Sequence, residues 1–199
     1  MTDYLTGDPL PVAEVNMKPR EHLIEEPLVG FSIPISSARY SDGDPINATG
    51  AAGDPKLTSG GWGSGSLTID GEAASGNTKT ETIMFERRVP ENFVSAGDFK
   101  LVINAYYAAA SSPVLTVKTL DVEAYADDGS NVLSDLCTTA AQDLTTSNVA
   151  YTFVITSTSL AAGYILRIFV RTVFTETAGG ANTATPKIRG IKATADIKG

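Results

Sequence analysis

From Thr80 to Ile197 the chain alternates apolar and polar residues with a period of two, and the period of a helix is almost absent. The alternating runs are separated by clusters of Gly, Asp, Asn, Ser and Thr, which are typical of tight turns between strands. The connections are too short to contain the crossover helices that a parallel sheet requires. The pattern therefore predicts an all-β fold, an antiparallel β-sandwich of jelly-roll-like type with seven or eight strands.

Several of the predicted strands have further features that constrain their place in the sheets. The run 164–174 is the most apolar of all, so we expect it at the centre of a sheet. In the run 114–125 the apolar residues change from one face to the other, which predicts a β-bulge near Thr119. The other predicted strands are 81–89, 99–108, 151–155 and 187–197, with a weaker segment at 133–138.

Residues 1–55 differ from the rest of the chain in both proline content and charge. They contain seven of the ten prolines, which remove backbone donors and oppose a long helix or a central strand. They also hold nine acidic and three basic residues, which account for most of the net charge of −8. We therefore expect an extended irregular N-terminal arm at 1–55 and the β-sandwich at 56–199.

Within the arm, a short apolar stretch from Leu28 to Ile35 is expected to lie on a protein surface, either that of its own sandwich or that of a neighbouring subunit. Trp62 lies alone among the glycines of 60–65, where a subunit contact or the edge of the core is favoured over a stacking platform for a sugar or base. The predicted protein-interface residues are Leu28, Val29, Phe31, Ile33, Ile35 and Trp62.

Residues with catalytic or metal-binding potential are few. His22 is the only histidine and lies in the arm, and Cys137, the only cysteine, has no basic neighbours that would lower its pKa. The loops 41–44 and 127–131 are rich in oxygen ligands, but turns explain them better than calcium does. We predict no enzyme activity, no cofactor and no metal site. Carboxylates that a sandwich hydrolase would need are Glu81, Glu86, Asp121 and Glu123.

Composition argues against several other classes of protein. A pI near 4.6 does not suit a protein that binds nucleic acid through its phosphates. No run of 18 apolar residues and no signal peptide are visible, so we expect no membrane contact and synthesis in the cytoplasm. A single cysteine excludes an intrachain disulfide, and the fold must therefore be stabilised by packing or assembly.

The segment FERRVPENFVSAGDF at 85–99, with the strand that continues to Tyr107, resembles structural proteins of tailed bacteriophages. In those proteins Pro-Glu-Asn-Phe and Gly-Asp frame the beginning of a jelly-roll sheet. The resemblance covers about a quarter of the chain. It implies a virion component with a jelly-roll fold, either a head decoration (cement) protein or a minor capsid protein, with no catalytic residues to transfer.

Three functions follow as hypotheses. The first is a capsid decoration protein that stabilises the phage head through its arm and its oligomer contacts. Its partners would be the major capsid protein and copies of itself, with a trimer favoured, and its location would be the virion, assembled in the host cytoplasm. The second is a carbohydrate- or receptor-binding module of a tail or head fibre, with Trp62, Tyr106, Tyr125 or Tyr164 as sugar platforms. The third is a β-sandwich hydrolase.

Overall fold

A computed structural model describes residues 29–47, 54–59, 67–94, 97–130 and 132–196. These residues form eleven strands and two short 3-10 turns, without an α-helix. The strands are β1 Val29–Ile33, β2 Arg39–Tyr40, β3 Lys56–Ser59, β4 Leu67–Asp70, β5 Thr78–Arg88, β6 Phe99–Ala110, β7 Leu115–Asp127, β8 Gln142–Asp143, β9 Val149–Val154, β10 Ile165–Glu176 and β11 Thr183–Ala195. The prediction of an all-β chain is confirmed.

The strands form two antiparallel sheets that pack face to face. Sheet A has the order β3-β4-β11-β6-β9, and β1 also pairs with β11, beyond the end of β4. Sheet B has the order β2-β5-β10-β7-β8. From β4 to β11 the chain changes sheet at every connection except that between β7 and β8, which is how a jelly roll is wound. The predicted jelly-roll-like sandwich is therefore confirmed.

The core lies between the sheets and is filled by alternate residues of the long strands. In β6, the side chains of Leu101, Ile103 and Ala105 are fully buried, and in β10 those of Leu166 and Ile168 are. This alternation follows from the pleat of a strand, which directs successive side chains to opposite faces. β10 pairs with β5 on one side and β7 on the other along nearly its whole length, so its predicted central position is confirmed.

At two β-bulges, in β7 and β11, an extra residue changes which positions of the strand face the core. In β7 the register shifts between Thr175, opposite Val117, and Glu176, opposite Leu115, so the extra residue is Thr116. The predicted bulge near Thr119 thus exists but lies three residues earlier.

The second bulge lies in β11, where the register against β6 shifts between Ile188 and Gly190. Arg189 is the extra residue. Before it the buried side chains occupy even positions, such as Ile188, and after it they occupy odd ones, such as Ile191. Alternation through the predicted strand 187–197 places Arg189 on one face with Ile191, Ala193, Ala195 and Ile197; in the structure Arg189 is exposed and does not share the buried face, and Ile197 lies outside the described residues.

Part of the segment assigned to the arm belongs to the sandwich in the structure. β1 pairs with β11, and Ile33, Ala38 and Ile46 are no more than 3% exposed within the core. Of the two alternatives left open for the apolar stretch, residues 29–47 thus follow the first, contact with their own sandwich. The earlier residues of the predicted arm, 1–28, lie outside the described residues.

Candidate functional site

The outer surface of sheet B combines charged and aromatic side chains on its central strand. In β10 the residues between the buried positions point away from the core, and three consecutive outward positions are Arg167, Phe169 and Arg171. A charged side chain at the centre of a sheet is flanked by residues on both neighbouring strands, so its partners are set by the register.

The register places an acidic or aromatic side chain beside each of these three residues. Residues opposite Arg167 are Glu86 on β5 and Tyr125 on β7. Phe169 is opposite Met84 and Glu123, and Arg171 is opposite Thr82 and Asp121. We call this surface the sheet B face, and define it by Glu86, Asp121, Glu123, Tyr125, Asp127, Arg167, Phe169 and Arg171.

Arg167 lies between two carboxylates. Its Nε donates to Glu86 Oε1 at 2.9 Å, and its Nη2 lies 3.2 Å from Asp127 Oδ2. The hydrogen bond to Glu86 is the main reason why the pKa of Arg167 is raised above its ordinary value. The guanidinium is about one-third exposed, so it is held in place and still faces solvent.

Arg171 lies four residues further along β10 and also contacts two carboxylates, both of them on β7. Its Nη2 donates to Asp121 Oδ2 at 2.6 Å and lies 3.9 Å from Glu123 Oε1. The hydrogen bond to Asp121 is the main reason why the pKa of Arg171 is raised. Arg167 is therefore oriented by a carboxylate on each neighbouring strand, and Arg171 by two carboxylates of β7.

The space between the arginines is occupied by an aromatic pair. Tyr125 and Phe169 meet edge to face, with ring centroids 5.7 Å apart and an interplanar angle of 79°. The Tyr125 hydroxyl donates to Glu123 Oε2 at 2.9 Å, and this hydrogen bond raises the pKa of Tyr125. Both rings are half-buried. An apolar centre is thus bordered along the strand by two fixed guanidinium groups.

A cleft of about 240 Å³ opens at the β5 side of this face. Its walls are formed by the 3-10 turn that precedes β2 and by β2 itself, and it reaches Glu86. Arg39 on this wall donates from Nη1 to the Gly43 carbonyl at 2.9 Å. Glu86 therefore borders the cleft and also holds Arg167. The lining residues are Ser36, Ser37, Ala38, Arg39, Pro45 and Glu86.

The predicted interface residues do not form one exposed surface. Ile33 is 3% exposed and lies in the core of its own chain, so it has no free surface in this fold. Ile35 is half-buried against the same core, and the backbones of Val29 and Phe31 belong to β1. Leu28 and Trp62 lie outside the described residues. Contact of these residues with another subunit stays a prediction.

The three candidate platform tyrosines lie in different places. Tyr125 belongs to the sheet B face. Tyr106 lies on the outer side of sheet A, where the Arg189 guanidinium is 5.8 Å from the ring centroid. Tyr164 is half-buried and packs against the core. The structure therefore leaves Tyr125 as the tyrosine that is surrounded by potential ligand-binding groups.

The four hydrolase carboxylates do not form one cluster, although Asp121 and Glu123 both lie near Arg171. Glu81 is directed into a slot between the sheets, whereas Glu86 and Asp121 are bound to different arginines on the outer surface. The register places Glu86 and Asp121 on opposite sides of β10 and four residues apart, so their backbones are about 16 Å from each other. A glycosidase needs its two carboxyl groups within about 10 Å. This pair is not spaced for glycoside hydrolysis.

The remaining sequence candidates are explained by local structure. Asp42 and Asp127 accept backbone N–H groups two residues ahead, and Gly43 and Gly129 have positive φ, as expected for turns at 41–44 and 127–130; Asn131 lies outside the described residues. Burial raises the pKa of the half-buried Cys137 thiol.

Among the described residues no group of three or more His, Cys, Asp and Glu side chains is placed to hold a metal ion. His22 lies outside them. In the same part of the chain no helix is long and apolar enough to cross a membrane.

Sequence reasoning did not identify the sheet B face as a site. A signal was nevertheless present, because the most apolar run of the chain has arginine at two alternating positions and phenylalanine between them. Charged residues on one face of a central strand indicate that this face is not covered by another layer of the protein.

No family model matches the chain, and no curated protein matches it. Several solved structures are similar to this chain, and three of them match over most of their own length. TmCBM61 in complex with beta-1,4-galactotriose is 10% identical, with 86% of this chain and 90% of that chain covered and a TM-score of 0.39. A CBM4 structure is 13% identical, with coverage of 73% and 88% and a TM-score of 0.33. The N-terminal cellulose-binding domain of Cellulomonas fimi beta-1,4-glucanase C is 15% identical, with coverage of 83% and 98% and a TM-score of 0.36. None of the three reaches a TM-score of 0.5, so the function is argued from the residues of this chain.

Proposed function

We propose that the protein is a carbohydrate-binding β-sandwich module without catalytic activity, and that the sheet B face is its binding surface. The observation that supports this most directly is the aromatic pair Tyr125–Phe169 between Arg167 and Arg171, each oriented by carboxylates on neighbouring strands. These groups lie on three paired strands and not on loops, so their positions are fixed before a ligand arrives.

The chemistry of this surface suits a sugar ring. One side of a pyranose presents C–H groups that pack on an aromatic ring, and its edge presents hydroxyls that need both donors and acceptors. Arginine supplies several donors in one plane, and carboxylates supply acceptors. The cleft beside Glu86 extends the surface, and its serines and Arg39 add further polar groups.

The proposal is tested by binding to a panel of polysaccharides in affinity gel electrophoresis, with the hits quantified by calorimetry. The full-length chain should bind at least one glycan, and Tyr125→Ala should weaken that binding roughly tenfold or more, since one stacking ring is lost. Tyr125→Phe keeps the ring and should bind more tightly than Tyr125→Ala.

Tyr106→Ala is the matched control, because it removes the same side chain from the outer side of the other sheet. It should leave glycan binding unchanged. Equal loss of binding in the Tyr106 and Tyr125 variants would contradict the proposed site, and absence of binding to every glycan would contradict the proposed function.

A capsid decoration protein is the second candidate. An observation that favours it is β9, an edge strand of sheet A, where Val149 at the first position is 40% exposed and Val154 at the last position, on the outer face, is 42% exposed. Exposed apolar side chains at a sheet edge provide a surface on which copies of the chain or a capsid protein can pack. This candidate predicts an oligomer, which is considered below at the scale of the whole molecule.

A further inference from the structure

Resting on the proposed function, we infer that the sheet B face selects uncharged glycans and rejects those that carry carboxylates or sulfates. The inference rests on the formal charge of the sheet B face. Its two guanidinium groups are surrounded by four carboxylates, so the set carries a formal charge of −2. The whole chain has a net charge of −8, which adds to the repulsion of an anionic polymer.

The arginines are not free to receive an anion. Arg167 contacts Glu86 and Asp127, and Arg171 contacts Asp121 and Glu123, at distances between 2.6 and 3.9 Å. An acidic sugar that reached an unused N–H of either guanidinium would lie close to the two carboxylates already paired with that arginine, and like charges repel. Strongly bound anions in proteins are instead met by unpaired cations in a bidentate arrangement.

A neutral sugar does not require any of these ion pairs to break. A guanidinium has five N–H donors, and the ion pairs of Arg167 engage its Nε and Nη2. Unused donors and the free lone pairs of the carboxylates are both available to hydroxyl groups, which donate and accept. Near the cleft, Arg39 and Glu86 again offer one charge of each sign.

The experiment compares each neutral polysaccharide that binds with the same polymer after oxidation of its primary hydroxyls to carboxylates. The backbone stays constant, so the two polymers differ only in the group at the primary carbon, and the charge variant below tests the part that charge plays. We expect the oxidised polymer to bind at least tenfold more weakly than the neutral one. Raising the salt concentration should change binding of the neutral polymer little, because counterions screen charge but not stacking or hydroxyl hydrogen bonds.

A charge variant tests whether the carboxylates of the face cause the discrimination. In Asp121→Asn/Asp127→Asn the affinity for the oxidised polymer, relative to the neutral one, should rise several-fold. Asp98→Asn is the matched control, since Asp98 is exposed beside Lys100 on the opposite sheet, and it should leave this ratio unchanged.

The outcomes are distinguishable. Oxidised polymer bound as tightly as neutral polymer, or more tightly, would overturn the inference and leave the proposed function standing. An equal effect of Asp98→Asn would assign the discrimination to the net charge of the chain and would also overturn it. If the full-length chain binds neither form of any polysaccharide, the proposed function fails and the inference fails with it.

Discussion

Glu176 is the one charged side chain that is fully buried among the described residues, with 1% exposure at the end of β10. Its Oε2 accepts the N–H groups of Gly76 at 2.7 Å and Gly179 at 2.8 Å, and its Oε1 accepts those of Val114 at 3.0 Å and Ala178 at 2.9 Å. Burial alone would raise the pKa of Glu176, but the four hydrogen bonds prevail and lower it to about 2. The carboxylate therefore stabilises the fold in its charged form.

Glu81 is in the opposite situation. Its carboxyl group lies in a slot lined by Ile69, Gly71, Pro186 and other mostly apolar residues, with a cavity of only about 10 Å³. Burial raises the pKa of Glu81 to about 7, although the backbone N–H of Glu72 donates to it. The Glu72 and Asp54 carboxylates raise the pKa further, and the Lys79 ammonium lowers it. A Cβ at Gly71 would lie 2.6 Å from Pro186 Cγ and would also displace the Glu81 carboxylate, so the absence of a side chain at Gly71 makes room for Glu81.

These two residues predict opposite effects of pH on stability. The folded pKa of Glu176 is depressed, so its contribution is present above pH 4.5 and is lost as the pH falls toward 2. The folded pKa of Glu81 is raised, so its contribution is complete below pH 4.5 and is lost as the pH rises through 7. We expect the melting temperature to be highest between these two limits. It can be followed by circular dichroism from about pH 2 to pH 9.

Two substitutions test the acid limb and the alkaline limb of this plot of melting temperature against pH separately. In the unaltered protein, ionisation of Glu81 should lower the free energy of unfolding by roughly 1–3 kcal/mol between pH 5 and pH 8, and Glu81→Gln should abolish this decrease. Glu176→Gln should lower the melting temperature by several degrees at neutral pH, because its amide NH2 would face backbone N–H donors. It should also make the melting temperature less dependent on pH below 4.5, because the titrating carboxylate is gone. Glu91→Gln, at an exposed carboxylate beside Arg88, is the control and should leave the profile unchanged. An alkaline limb that persists in Glu81→Gln would refute the assignment to Glu81.

At the scale of single elements, the sequence predicts regular strands well and fails where one residue breaks the alternation. The central position of β10 is predictable because the run 164–174 is the most apolar of the chain. In β11 the change of face between Ile188 and Ile191 is the mark of the bulge at Arg189, but small residues at 184, 193 and 195 make the alternation weak there. β1 was not predicted because Gly30 and Pro34 interrupt a run that is stabilised by β11.

The role of β1 can be tested by Ile33→Ala. Its side chain is 3% exposed in the core, so truncation leaves a cavity and should lower the free energy of unfolding by about 2–4 kcal/mol. Ile165→Ala, at a residue that is 36% exposed on the outer side of β10, is the control and should cost less than about 1 kcal/mol. Urea denaturation measures both. Equal stability of Ile33→Ala and the unaltered protein would show that β1 does not belong to the fold.

Because β1 belongs to the sandwich, the length of an N-terminal deletion decides whether it tests the capsid decoration hypothesis or only disturbs the fold. Removing residues 1–40 would remove β1 together with Ile33 and Ala38 from the core, so the sandwich itself would be destabilised. A deletion that ends at residue 28 keeps every described contact of the sandwich. Loss of capsid association in that shorter deletion, with the melting temperature retained, is the result that the decoration hypothesis requires.

For the whole molecule, the sandwich was predictable and the candidate site was not. Alternation over short distances determines which side of each strand is buried, and it therefore predicts two packed sheets. The sheet B face instead joins Glu86, Tyr125 and Arg167, which are far apart in sequence and become neighbours through the strand order β5-β10-β7. Strand order depends on pairing between distant segments, which a single sequence does not display.

The state of assembly is the prediction that belongs to this scale. If the exposed valines of β9 mediate self-association, the full-length chain of 20.8 kDa should have the native mass of a trimer. Val149→Ser/Val154→Ser should then shift the mass toward the monomer, whereas Val114→Ser, at another exposed valine, should not. Native mass spectrometry measures all three. A monomeric full-length chain would remove the support for the decoration hypothesis and leave the glycan-binding proposal unaffected.

The hydrogen bonds of Glu176 limit which part of the sandwich can be varied to change the glycan binding proposed above. They join the connections β4–β5, β6–β7 and β10–β11 through Gly76, Val114 and Gly179. In immunoglobulin variable domains the loops at one end can change length and sequence independently, and diversity is placed there. Here an insertion in one of three loops would disturb the other two. Libraries that aim at new ligands should therefore vary the outward residues of β5, β7 and β10 and leave this end of the sandwich intact.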